Sequence, residues 1–186
     1  MPSLARNLPF PFLPRGARKN PAKNAFDLTP RMRAIVALAA TTMSFAAFYG
    51  IARGLLGYAP DHEATRRLAV IIHVATVLPA IPLGGFLLLA PKGTPMHKQL
   101  GKLWVVLMVA TALSAIFIQS SGSVSFIHIF VPMTLWSSYK LIATARRGDM
   151  KGHKNEILTL YLGALMIPGV VSMAIPGRLM NVWLFG

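Results

Sequence analysis

The chain contains five histidines and no cysteine. Those two counts set the chemistry open to it. Without a thiol there is no disulfide, thiolate metal site, iron–sulfur cluster, covalent C-x-x-C-H haem attachment or cysteine nucleophile. Imidazole is then the main group able to ligate a metal or handle a proton. Four of the five histidines fall in a pattern. His73 follows Arg67 by six residues inside a long apolar run, and His128 sits four residues into another. In Thr94-Pro95-Met96-His97, the threonine reads as an N-cap and the proline as the first helical residue, which puts His97 in a first turn. In Gly148-Asp149-Met150-Lys151-Gly152-His153, Asp149 is the expected cap and His153 again falls in a first turn. His62, beside Asp61 and Glu63, reads as a surface residue.

Paired imidazoles on facing helices are what bis-histidine ligation of haem b requires, since the porphyrin iron keeps two axial positions for protein ligands. His73 and His128 form one expected pair, near the outer membrane surface, and His97 and His153 a second near the inner surface, so one or two haems per chain are expected. Propionates need cations at the interface. Arg66 and Arg67 stand at the outer end, with Lys98, Lys102, Arg146 and Arg147 at the inner one. Gly101 follows His97 by four residues on the same helical face, where a missing side chain would let a flat ring approach. Zinc or copper on the same imidazoles is a weaker reading, because cysteine is absent and Asp61, Glu63, Asp149 and Glu156 lie at or beyond the ends of the apolar runs. Taken singly, each histidine also has a plainer reading. His73 and His128 would make hydrogen bonds within or between helices, and His97 and His153 would face headgroups.

The elements that must hold these residues are membrane helices. Of 186 residues, 54% are hydrophobic and only 13% charged, and mean hydropathy is +0.56. Soluble domains carry about twice that charged fraction. Five runs are long and apolar enough to span a bilayer, at 34–52, 68–90, 100–118, 124–142 and 157–175. The expected fold is thus an all-α integral membrane protein, a bundle of five transmembrane helices in one domain over 34–186. Lys and Arg divide 15 to 4 between the two sets of connections, which places the N-terminus inside and the C-terminus outside. Residues 1–33 form a basic, proline-rich tail expected to be disordered and to rest on anionic headgroups, with a transit peptide as the minor alternative. No secretory signal is visible. The net charge of +14 flanks apolar runs and does not form a stripe, so nucleic acid is not an expected partner.

Two stretches resemble a known family: Lys92-Gly93-Thr94-Pro95-Met96-His97-Lys98-Gln99-Leu100-Gly101-Lys102, and Ala145-Arg146-Arg147-Gly148-Asp149-Met150-Lys151-Gly152-His153-Lys154. Over about Arg67 to Gly177 the chain resembles the YozB-like family of bacterial predicted membrane proteins, which carries a domain of unknown function. That resemblance implies membrane residence, here the bacterial inner membrane, and no established activity. The order of the four histidines also resembles the cytochrome b561 superfamily, di-haem proteins that pass electrons across membranes. It implies axial-ligand roles for His73, His97, His128 and His153, although the spacings here are shorter and the inner histidines lie closer to the helix starts.

Other features concern packing. Ala46, Gly50 and Gly54 make a small-residue ridge for a helix partner, expected within the monomer in preference to a homodimer. Pro79, Pro82, Gly84 and Gly85 are expected to bend the second span or to leave room for a cofactor or quinone-sized ligand. Trp104, Trp136, Tyr139 and Trp183 read as interfacial anchors. No nucleotide-binding, serine-hydrolase or zinc-protease motif occurs, and no carboxylate lies within a span to serve as a proton relay. Two functions compete. One is a b-type cytochrome with a quinone or other redox partner; the other is a cofactor-free scaffold or assembly subunit of a larger complex.

Overall fold

A computed structural model describes residues 27–118 and 126–186 of the chain. The proposed disordered tail lies, up to residue 26, outside the described residues. Helix α1 spans Pro30–Leu55. It starts four residues before the expected Ala34, because Thr29 accepts from the Met32 amide at 3.3 Å and Pro30 takes the first helical position. Helix α2 spans Leu68–Leu89, α3 Pro95–Ile116, α4 Phe130–Arg147, α5 Met150–Ala174 and α6 Leu179–Phe185. Short 3₁₀ turns at Glu63–Arg66 and Phe126–Ile129 precede α2 and α4. Among the described residues every regular element is helical.

Four of these helices, α1, α2, α3 and α5, are long and apolar enough to cross a membrane. The expected fourth run, 124–142, is not among them. Its first two residues lie outside the described ones, and the helix there begins at Phe130 and ends on Arg146 and Arg147. Helix α4 is amphipathic. It buries Thr134, Ser137 and Ser138, exposes Trp136 and Tyr139, and pairs Lys140 with Glu156 of α5. Elsewhere the bundle exposes large apolar side chains such as Phe45, Leu55 and Phe117, a surface suited to contact with lipid.

The connections follow their capping residues. Gly148 ends α4 in the left-handed region, at φ 71°, and Asp149 then accepts from the Gly152 amide at 2.9 Å to start α5. A two-residue turn therefore makes α4 and α5 antiparallel neighbours. Thr94 likewise accepts from the His97 amide at 3.1 Å, with Pro95 next. Both expected caps are present.

Packing at the middle of the bundle departs from two expectations. Trp104 is not an interfacial anchor: it is fully buried, and its Nε1 donates to the Ala80 carbonyl of α2 at 2.9 Å. Tyr161 of α5 is also fully buried, and its hydroxyl donates to the Ile81 carbonyl at 3.1 Å. The two rings occupy the space left by the α2 glycines. A Cβ on Gly84 would lie 2.6 Å from Tyr161 Cδ2 and 2.7 Å from Trp104 Nε1, and one on Gly85 would lie 2.6 Å from Ala40 of α1. The glycines thus admit protein side chains, not a ligand. Tyr161 sits in a π-helical stretch, Thr159–Met166, inside α5. The following Pro168 has no amide to donate, and the Ile167 amide reaches back five residues to the Leu162 carbonyl.

The small-residue ridge of α1 meets the chain's own last helix. Met180 and Leu184 of α6 lie against Gly50, and the Trp183 ring lies against Gly54 closely enough that a Cβ there would clash. Trp183 is therefore a buried packing residue as well. Arg53 secures this contact from the side: its guanidinium donates to the carbonyls of Trp183, Leu184, Gly186 and Tyr58 at 2.7 to 3.2 Å.

Candidate functional site

The α1–α2 loop, the α5–α6 loop and the starts of α2 and α4 meet at one end of the bundle around a cavity of about 560 Å³. That volume falls within the range of about 300–1,000 Å³ typical of small-molecule and cofactor sites. His73 and His128 both line it, so the pair expected from the sequence shares one space. His128 does not lie inside α4 as expected. It belongs to the 3₁₀ turn Phe126–Ile129 that leads into that helix.

The histidines at this end spend their ring nitrogens in different ways. The Nδ1 of His73 lies 3.0 Å from the Thr111 carbonyl and 3.2 Å from Ser114 Oγ, both on α3. A carbonyl oxygen only accepts, so Nδ1 is the donor, and in the neutral ring Nε2 keeps its lone pair. His62 is used differently. Its Nδ1 accepts from the Ala64 amide at 3.1 Å, and its Nε2 donates to the Gly177 carbonyl at 3.1 Å. Both nitrogens of His62 are engaged in tying the α1–α2 loop to the α5–α6 loop. His62 also lines the cavity and is not simply a surface residue, but with both nitrogens engaged it stands outside the pairing.

The cations expected around the site divide. Arg67 lines the cavity and Arg66 does not, although both are exposed. Arg178, expected on the same side but with no role at the site, lines it too. Also missed were Thr111, which lines the cavity, and Ser114, which touches His73 from behind it; both look like ordinary small residues of an apolar helix. Four methionines, Met43, Met108, Met173 and Met180, supply soft apolar lining. Their membership depends on how the helices face one another, which no local pattern encodes.

At the opposite end His97 and His153 occupy the first turns of α3 and α5, as expected. His153 and Lys92 are near enough to act electrostatically on His97, so this pair too is brought into one neighbourhood. His153 Nδ1 donates to the Leu141 carbonyl of α4 at 3.1 Å, whereas His97 Nδ1 is buried with no hydrogen-bond partner among the described residues. Neither lines the cavity at the His73 end. Lys92, in the α2–α3 loop, donates to the carbonyls of Leu88 and Ala90. Burial and the neighbouring Arg33 hold its ammonium below the usual lysine range, with Asp27 opposing. Lys98, Lys102, Arg146 and Arg147 are exposed. Among the described residues, a Cβ on Gly101 would meet nothing within 4 Å.

The donor set at the His73 end fits haem: two imidazoles on one largely apolar cavity, with arginines at its edge. Among the described residues no group of three or more histidine, aspartate or glutamate side chains converges on a metal-ion site; axial ligation needs only two. A family model described as a predicted membrane protein (DUF2306) matches residues 70–181. The matched stretch includes His73, His97, His128 and His153. The match concerns membrane residence and carries neither the YozB-like nor the cytochrome b561 resemblance. No curated protein and no solved structure matches the chain.

Proposed function

Since the chain belongs to the DUF2306 family of predicted membrane proteins, we propose that it is a b-type haem protein that carries electrons across the membrane. One observation carries the reading: His73 and His128, from separate helical elements, line the same cavity. Bound haem would supply one-electron redox chemistry. The chain's own residues would supply ligation through His73 and His128, charge compensation through Arg67 and Arg178, and a largely apolar wall for the ring. His97 and His153 are the proposed ligands of a second haem at the other end, with Lys98, Lys102, Arg146 and Arg147 near its propionates and Gly101 beside the ring. The proposed topology has five crossings, α4 included, with the N-terminus inside and the C-terminus outside the bacterial inner membrane. A quinol or another small reductant is the proposed partner.

The runner-up is a cofactor-free scaffold of a larger complex. The bonds from His73 to Thr111 and Ser114 favour it, because a histidine that only ties α2 to α3 would make the same contacts. A visible spectrum of the purified protein separates the two. A low-spin haem signal supports the cytochrome, and a protein purified in folded form with no chromophore after haem-replete expression supports the scaffold.

A further inference from the structure

The polar groups around His73 form a connected set. Ser114 Oγ donates to the Thr111 carbonyl at 2.9 Å while lying 3.2 Å from His73 Nδ1. Its hydrogen is committed to that carbonyl, so toward His73 it presents a lone pair. His73 Nδ1–H therefore faces two acceptors, the Thr111 carbonyl and the Ser114 hydroxyl oxygen. One turn along, Thr111 Oγ1 donates to Thr76 Oγ1 at 2.8 Å, and Thr76 Oγ1 shares its one hydrogen between the carbonyls of Ile72 and His73. This second link ties α2 to α3 at the level of the imidazole. Thr111 and Ser114 are both buried, so water does not compete freely for these bonds.

We propose that Thr111 and Ser114 are positioning residues that fix His73 in the tautomer with its proton on Nδ1 and reserve the Nε2 lone pair for the cavity. The consequence is a selection by chemical class. A lone pair accepts a hydrogen bond or binds an electron-pair acceptor such as a haem iron; a carboxylate or carbonyl oxygen placed there would meet it lone pair to lone pair. The inference rests on the haem reading for the identity of the ligand, but the tautomer itself does not. A ligating histidine whose other nitrogen donates to fixed acceptors is also a stronger electron donor to the metal, so the acceptor Ser114 should hold the haem's reduction potential down.

The test has two arms. In the first, the full chain is prepared in detergent micelles without haem and with ¹⁵N-labelled histidine, the His73 signals being identified by their loss in His73→Gln. The expected result is a ring protonated at Nδ1; a ring protonated mainly at Nε2 overturns the proposal. In the second, haem-loaded Ser114→Ala is compared with wild type and with Ser114→Thr, which keeps the hydroxyl. The expected result is an upward shift of reduction potential in Ser114→Ala, reversed in Ser114→Thr. A potential unchanged in Ser114→Ala removes Ser114 from the assignment. Failure to bind any haem defeats the cytochrome reading alone, and the first arm then decides the tautomer.

Discussion

At the residue scale, the histidines at the cavity end differ in what each nitrogen is free to do. His62 uses both, whereas among the described residues His73 commits only Nδ1. On the proposed reading, this difference separates a structural histidine from a ligand of haem. His62→Ala should lose two hydrogen bonds, each worth about 0.5–1.5 kcal/mol net. A lower thermal midpoint with an unchanged visible spectrum is the expected outcome, and loss of the haem signal would show that His62 belongs to the site. Conversely, His73→Ala or His128→Ala should remove the six-coordinate low-spin spectrum of one haem while the protein still inserts in the membrane. Spectra and haem stoichiometry measured on both variants check this; unchanged values would count against the pair.

At the element scale, two helix starts were legible in residue type, at Thr94 with Pro95 and at Asp149, because a capping oxygen acts within a few residues. The start of α1 at Thr29 and Pro30, made the same way, was not placed. The ridge of Ala46, Gly50 and Gly54 was legible as a packing surface, but its partner α6 was not, since that contact joins residues about 130 positions apart in sequence. The burial of Trp104 and Tyr161 was illegible for the same reason: an aromatic residue in an apolar helix carries no local mark of whether it faces lipid or two glycines. Two glycines make this difference measurable. Gly84→Ala should cost about 1–3 kcal/mol, because the Tyr161 and Trp104 rings cannot both retreat. In the haem-free protein Gly101→Ala, whose Cβ meets nothing within 4 Å among the described residues, should be neutral or stabilising by up to about 1 kcal/mol through helix propensity. Thermal denaturation of both variants in detergent compares them directly, and equal destabilisation would refute the packing account.

At the scale of the whole molecule, the chain forms a bundle whose ends differ in chemistry. One end holds the cavity with His73 and His128; the other gathers Lys92, His97 and His153. Along α2, His73 stands 17 residues before Ala90, about 26 Å of helical rise. One haem could not serve both histidine pairs, so the proposed electron passage across the bilayer would require a centre at each end. The proposed topology predicts that a reporter fused after Gly186 is active outside the cytoplasm; activity confined to the cytoplasm would reverse the orientation. The central claim is tested most directly by quantifying haem in the purified, haem-replete wild-type protein together with its reduced-minus-oxidised visible spectrum. The account predicts low-spin bis-histidine haem b at two per chain, falling to one in His97→Ala or His153→Ala with the His73 centre intact. A folded wild-type protein with no bound haem would contradict it.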